Sequence, residues 1–333
     1  MIRYRCIDMG EVRPFDRNAK GRGKQEETRM SAKDIRDKRT AFSLEVFPPK
    51  TEAGMEALCG KGGVLDQLYS LKPDGIACTY GAGGANLGKN LEILDKLVRD
   101  GNVTAMTHFT CEGSSGDGIR AQLQTYLDHG VRQVLICQNG GNLSRNTDPR
   151  LQYVSQQVRF LRKEFGSSFT ITVADMPEGH MALRSMEDDI VFLKQVQDCG
   201  ADAVMTRLCW DMDYYCRWMD AVRGADIEMR VTAGVMPVLD QAAVISMTMA
   251  GNSSIPRELS ELISENWIYP NPFGKDPFDA EAESKMAAFR AAGMAYTVRQ
   301  IARYRDCGVS GIHLYTNNRF EDAACIAAKA DLI

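Results

Sequence analysis

Eight short apolar runs, each followed by a helix-length amphipathic segment, constrain this chain more than any other feature of its sequence. The runs lie at 42–47, 75–80, 103–109, 133–138, 169–174, 203–207, 229–234 and 311–315. The helical segments lie near 53–70, 88–100, 117–130, 150–165, 183–199, 211–224, 239–250 and 283–307, with a last one at 319–330. Strict β–α alternation forces parallel pairing, and eight such units close on themselves. The expected architecture is therefore α/β, a (β/α)8 TIM barrel forming a single domain over 30–333. Three junctions carry a weak internal repeat: Asp128-His129-Gly130-Val131, Asp198-Cys199-Gly200-Ala201 and Asp306-Cys307-Gly308-Val309. Each ends a helix just before a strand, with the glycine supplying the left-handed cap. The rhythm breaks once, in a Ser-, Pro- and Asn-rich insert from about 251 to 282 that holds an expected helix at 256–265.

The first strand, Phe42-Ser43-Leu44-Glu45-Val46-Phe47, is stopped by Pro48-Pro49, because proline has no amide proton for a strand ladder. Alternation sets Phe42, Leu44 and Val46 on one face and Ser43, Glu45 and Phe47 on the other. An isolated buried carboxylate is costly. Either Glu45 lies on an exposed edge, or it points into a barrel lumen at the mouth. There, desolvation is expected to raise its pKa and suit it to donate a proton.

The net charge of −4 offers nothing to nucleic acid. Residues 1–40 hold twelve Lys/Arg against seven Asp/Glu, so the head is +5 and the body −9. Residues 1–29 are polar and basic without apolar periodicity, which predicts a flexible, disordered extension. None of the ten cysteines forms a CxxC pair, and many sit in apolar runs, as reduced core thiols of a cytoplasmic protein do. No disulfide framework is expected. No window reaches 18 apolar residues, so no membrane association is expected. No His/Cys/Glu spacing suggests a metal site, and no P-loop or GxGxxG fingerprint is present.

In a barrel of this kind the chemistry lies where the strands end. Those ends hold Glu45, Thr79-Tyr80-Gly81, Thr107-His108, Gln138-Asn139-Gly140-Gly141, Asp175 to His180, Arg207 and Tyr315-Thr316-Asn317-Asn318-Arg319. Three of the four histidines fall in or just beyond strand ends. The bland readings are a satisfied core histidine, a half-buried aromatic at Tyr80, and a first-turn helix acid at Asp189.

Leu44-Glu45-Val46-Phe47-Pro48-Pro49-Lys50-Thr51, Thr79-Tyr80-Gly81-Ala82, His108-Phe109-Thr110-Cys111 and Tyr315-Thr316-Asn317-Asn318-Arg319 resemble methylenetetrahydrofolate reductases, in order and at similar spacing, from about 40 to 328. The resemblance implies an FAD-dependent barrel enzyme, a homo-oligomer, that reduces 5,10-methylenetetrahydrofolate to 5-methyltetrahydrofolate. It implies Glu45 as general acid. It implies Thr79, Tyr80, Ala82, His108, Gln138, Asn139, Gly140, Tyr153, Val154, His180 and Asp189 at the flavin, and Arg207, Tyr315 and Arg319 at the folate.

Gln138-Asn139-Gly140 stands where the family has arginine-glycine-aspartate, and Arg207 where it has glutamine. Ala243 and Met247 stand for a glutamine and a phenylalanine, and Met176 for a tyrosine. Losing a carboxylate near the flavin, or gaining Arg207, stabilises an anionic reduced ring. The flavin-and-acid half of the resemblance is thus intact while the nicotinamide- and pterin-gripping half is altered. The electron source is then either NAD(P)H or an electron-transfer partner protein. Two other readings stand beside this one: a flavoenzyme of the same fold acting on another pterin or C1 carrier, and a non-catalytic folate- or flavin-binding subunit of a complex.

Overall fold

A computed structural model describes residues 39–79, 87–111, 114–137, 148–178, 185–251, 253–267 and 280–333. The expected extension lies outside the described residues, as do the anticipated flavin-site positions Tyr80, Ala82, Gln138, Asn139, Gly140 and His180.

The strands are β1 (Ala41–Val46), β2 (Gly75–Cys78), β3 (Thr104–Phe109), β4 (Gln133–Ile136), β5 (Thr170–Asp175), β6 (Ala203–Thr206), β7 (Arg230–Val235) and β8 (Gly311–Tyr315). Each pairs in parallel with the next, and β8 pairs with β1, giving the expected closed barrel. The helices around it are α1 (Glu52–Cys59), α2 (Val64–Tyr69), α3 (Leu87–Asp100), α4 (Gly116–Asp128), α5 (Val154–Phe165), α6 (Met186–Asp198), α7 (Met212–Gly224), α8 (Gln241–Gly251), α9 (Arg257–Glu265), α10 (Ala280–Asp306) and α11 (Phe320–Lys329). Among the described residues no helix is long and apolar enough to cross a membrane.

Strand parity follows the pleat. Phe42, Leu44 and Val46 are wholly buried against the helices, while Ser43 and Glu45 face the lumen. The three Asp-x-Gly junctions form one repeated turn. Gly130, Gly200 and Gly308 have φ of 82°, 109° and 77°, and the residue after each donates its N–H back into the ending helix. These bonds are Val131 to Tyr126 at 2.9 Å, Ala201 to Val196 at 3.2 Å and Val309 to Tyr304 at 3.4 Å. A left-handed glycine satisfies the last carbonyls and aims the chain at the next strand.

Two expectations need correction. The helix anticipated over 53–70 is two, because Gly60-Lys61-Gly62-Gly63 between α1 and α2 does not sustain helical backbone. The thiols are not all single: Cys216 of α7 and Cys307 beyond α10 form a disulfide across 91 residues of sequence, with Cα atoms 5.2 Å apart. Such a pair is invisible to spacing rules.

The main core fills the space between barrel and helices. A second cluster, Leu208, Trp210, Met236, Val238, Val244, Leu259, Ile263, Phe289 and Tyr296, lies behind the mouth after β7. The insert helix α9 contributes Leu259 and Ile263 to it, so the elaboration braces the C-terminal face of the barrel. Trp210 is anchored there by a 2.8 Å bond from Nε1 to Thr248 Oγ1.

Candidate active site

The β1–β8 register sets Ser43 beside His313 and Glu45 beside Tyr315. All four therefore share the inward parity, and His108 reaches the same level from β3. Glu45 Oε2 lies 3.1 Å from His108 Nε2 and 3.4 Å from His313 Nε2. His313, wholly buried, meets Ser43 Oγ through Nδ1 at 2.8 Å. The end of β1 is clamped by the turn after β8. Thr316 Oγ1 donates to the Glu45 carbonyl at 2.6 Å. Asn318 Nδ2 donates to Phe47 O at 2.9 Å, and its Oδ1 accepts the Phe47 N–H at 3.1 Å. Asn317 and Asn318 take left-handed backbone, which asparagine tolerates better than most residues. The Thr-Asn-Asn motif thus fixes where Glu45 points.

Glu45 does not titrate as expected. Burial pushes its carboxyl up, but the two imidazoles beside it, the charge of His108 above all, outweigh that and bring it to about 2. Burial pulls His108 down, yet Cys137 and Glu45 together push it up to about 10. The sequence offered desolvation without its counter-charges, because those arrive from β3 and β8. At neutral pH the mouth holds an ionised carboxylate beside an imidazolium.

A cavity of about 600 Å³ opens directly in front of Glu45. Its polar lining includes Thr79, His108, Cys137, Arg207 and Tyr315, and its apolar wall Met205, Met236, Ala243 and Met247. Of the anticipated site residues, Glu45, Thr79, His108, Arg207 and Tyr315 converge here. Arg319 begins α11 with its side chain 66% exposed. Tyr153 caps α5, its N–H bonded to Gln156 at 3.1 Å, and Val154 is buried in the first turn. None of these three lines the cavity. His313, Ser43 and Cys137 were not singled out from sequence, although inward parity two residues before Tyr315 marks His313.

Asp189 sits in the first turn of α6, 1% exposed, accepting from Trp218 Nε1 at 2.8 Å. It is buried outside the described cavity lining, where it is coupled to Asp175 at the end of β5. Burial raises Asp189 to about 6, and burial together with the Asp189 charge raises Asp175 well above the ordinary carboxylate range. The folded state therefore keeps a proton that the unfolded chain has lost. Stability from this pair is present at low pH and lost as pH rises from the ordinary carboxylate value through about 6. Asp189→Asn keeps an acceptor for Trp218 and is expected to remove about 1–3 kcal/mol of that decline. Urea denaturation of both proteins at pH 4.5 and pH 7.5 measures it; equal pH slopes would sink the assignment.

The family described as methylenetetrahydrofolate reductase matches residues 30–331 of this chain. Methylenetetrahydrofolate reductase (NADH) 1 of Zea mays is 28% identical over 312 residues, covering 89% of this chain and 49% of its own. The 5,10-methylenetetrahydrofolate reductase of Pectobacterium carotovorum subsp. carotovorum is 29% identical over 283 residues, covering 85% and 87%. That of Escherichia coli (strain K12) is 27% identical over 279 residues, covering 84% and 86%. The chain spans about half the length of the plant relatives and most of the length of the bacterial ones.

Proposed function

Because this chain belongs to the methylenetetrahydrofolate reductase family, we propose that it reduces 5,10-methylenetetrahydrofolate to 5-methyltetrahydrofolate, with Glu45 as the proton donor. The observation that carries this reading is the Glu45 carboxylate held between two imidazoles at the rim of a cavity of about 600 Å³. That volume lies in the usual range for small-molecule sites.

The fit to a flavin rests on the cavity walls. Leu135, Ala174, Met205 and Met236 give a flat aromatic ring an apolar bed, and Thr79 and His108 give it a few polar partners. FAD, when bound, supplies the hydride chemistry. The proton is the protein's part. It rests on His108 Nε2, 3.1 Å from Glu45 Oε2. Glu45 takes it and delivers it to an amine nitrogen of the folate's five-membered ring, opening that ring to an electrophilic iminium. His313, held through Ser43, stabilises the carboxylate left behind. Met205 and Met236, both buried, screen this exchange from water, and Arg207 offers the substrate the cationic contact of the mouth.

Arg207, Ala243 and Met247 line the same cavity and stand where the family resemblance leads one to expect glutamine, glutamine and phenylalanine. Their position favours a second reading, a flavoenzyme of this family acting on another pterin or C1 carrier. It equally favours electrons arriving from a partner protein. Slow bleaching of flavin-loaded protein on anaerobic mixing with NADH is expected; fast bleaching at ordinary concentrations assigns NADH as donor.

The primary test is spectral. The purified protein should show flavin absorption bands, and photoreduced flavin should be reoxidised by added 5,10-methylenetetrahydrofolate. A protein that takes up flavin but ignores the folate supports the second reading. One that takes up neither overturns both.

A further inference from the structure

Three atoms of the kinds that divalent cations prefer converge at one point of the barrel mouth. Glu45 Oε2, His108 Nε2 and His313 Nε2 lie within 4.8 Å of one another, with two edges at 3.1 and 3.4 Å. Ligands ~2.0–2.1 Å from a zinc ion stand ~3.3 Å apart in a tetrahedral shell. Both of these edges match the ligand spacing of such a shell, and the third lies within 4.8 Å.

Two further observations point to an occupant. His108 Nε2 is buried and makes no hydrogen bond; it meets Glu45 at ion-pair distance but outside hydrogen-bond geometry. His313 is oriented from behind by Ser43 Oγ at 2.8 Å on Nδ1, and this outer contact is what fixes the free nitrogen of a metal-binding imidazole. Glu45 and His108 both line the cavity, so a small molecule can reach the cluster, as in metal sites that keep an open position.

We propose that Glu45, His108 and His313 bind one first-row divalent cation, Zn²⁺ or Fe²⁺ being the class that two imidazoles and one carboxylate select. The three ligands come from β3, β8 and β1, so the barrel wall itself is the chelate. Occupation displaces the proton that His108 Nε2 otherwise carries and takes the Glu45 carboxylate out of proton transfer, so cation and folate exclude each other. That last clause rests on the function proposed above; cation binding does not.

The test uses Co²⁺ as probe on the full, flavin-free chain with its Cys216–Cys307 disulfide intact. A saturable visible absorption band, one cobalt per chain and without the near-ultraviolet band of a thiolate ligand, is the expected result. His313→Gln should weaken binding by at least about tenfold, and Ser43→Ala by about tenfold through its outer contact. His129→Gln, a surface histidine paired with Asp95, should leave binding unchanged. Melting curves check that the variants fold. The absence of a saturable band, a thiolate band, or a band unaltered by both His313→Gln and Ser43→Ala would overturn the site. Cobalt binding in a protein that ignores 5,10-methylenetetrahydrofolate would support the cation site while removing only its link to proton transfer.

Discussion

Glu45→Gln is expected to lower turnover of 5,10-methylenetetrahydrofolate by roughly two or more orders of magnitude. The substitution is nearly isosteric, and the clamp on its backbone is independent of the side chain, because Thr316 bonds the Glu45 carbonyl. The cavity and its other lining groups should persist. What changes is the chemistry: an amide neither accepts the His108 proton nor passes it on. Flavin content should therefore stay close to wild type while kcat falls. His108→Gln, which empties the other end of the same 3.1 Å contact, should also depress kcat, and the double variant should be little worse than Glu45→Gln alone, since groups that act as one unit are non-additive. Steady-state kinetics with flavin quantified in each preparation decide it. A loss under about threefold in Glu45→Gln would remove general acid catalysis. Absence of turnover in the wild-type protein itself would leave the non-catalytic subunit standing.

The largest stability effect is expected at Gly293, in α10. A Cβ there would lie 1.7 Å from the carbonyl oxygen of Val238 and 2.8 Å from its carbonyl carbon. Both are backbone atoms, so no side chain can swing aside. The contact is also bonded: Thr297 Oγ1 donates to Gly293 O at 2.9 Å and accepts the Val238 N–H at 3.0 Å. Gly293→Ala must push α10 away from the segment that follows β7. It should cost about 3 kcal/mol or more, the upper part of the range for overpacking. The same segment carries Met236 and leads to Ala243, both in the cavity wall, so ligand binding should weaken with stability. Thr297→Val keeps the shape but strands the Val238 N–H, and should cost about 1–3 kcal/mol. Thermal unfolding of the three proteins checks both; a Gly293→Ala midpoint within about 1 °C of wild type would refute the close approach.

Much of this fold is legible in the chain. Short apolar runs alternating with helix-length segments gave all eight strands to within two residues, because a barrel strand is buried on its helix side whatever occupies its lumen side. Phe42, Leu44 and Val46 show the rule, and the Asp-x-Gly turns repeat because each solves the same geometric problem. The site was legible in part. Glu45, His108, Arg207 and Tyr315 could be placed at one mouth from strand ends alone. The direction of the Glu45 pKa could not be. It depends on His108 and His313, which lie 63 and 268 residues away along the chain, and no local pattern encodes that meeting. The break between α1 and α2 was readable in Gly60-Lys61-Gly62-Gly63 but was masked by the apolar spacing on either side. The Cys216–Cys307 bond follows from how α7 and α10 pack, which only coordinates reveal.

The barrel closes between its first and last strands, and Glu45 and His313 face each other across that seam. During synthesis the carboxylate emerges early, and its partner only after nearly the whole barrel has been made. A truncated or stalled chain ending before residue 311 would carry the acid and His108 but neither His313 nor the Thr316 bond that aims it. The set of groups around Glu45 is thus complete only once the final strand has joined the first.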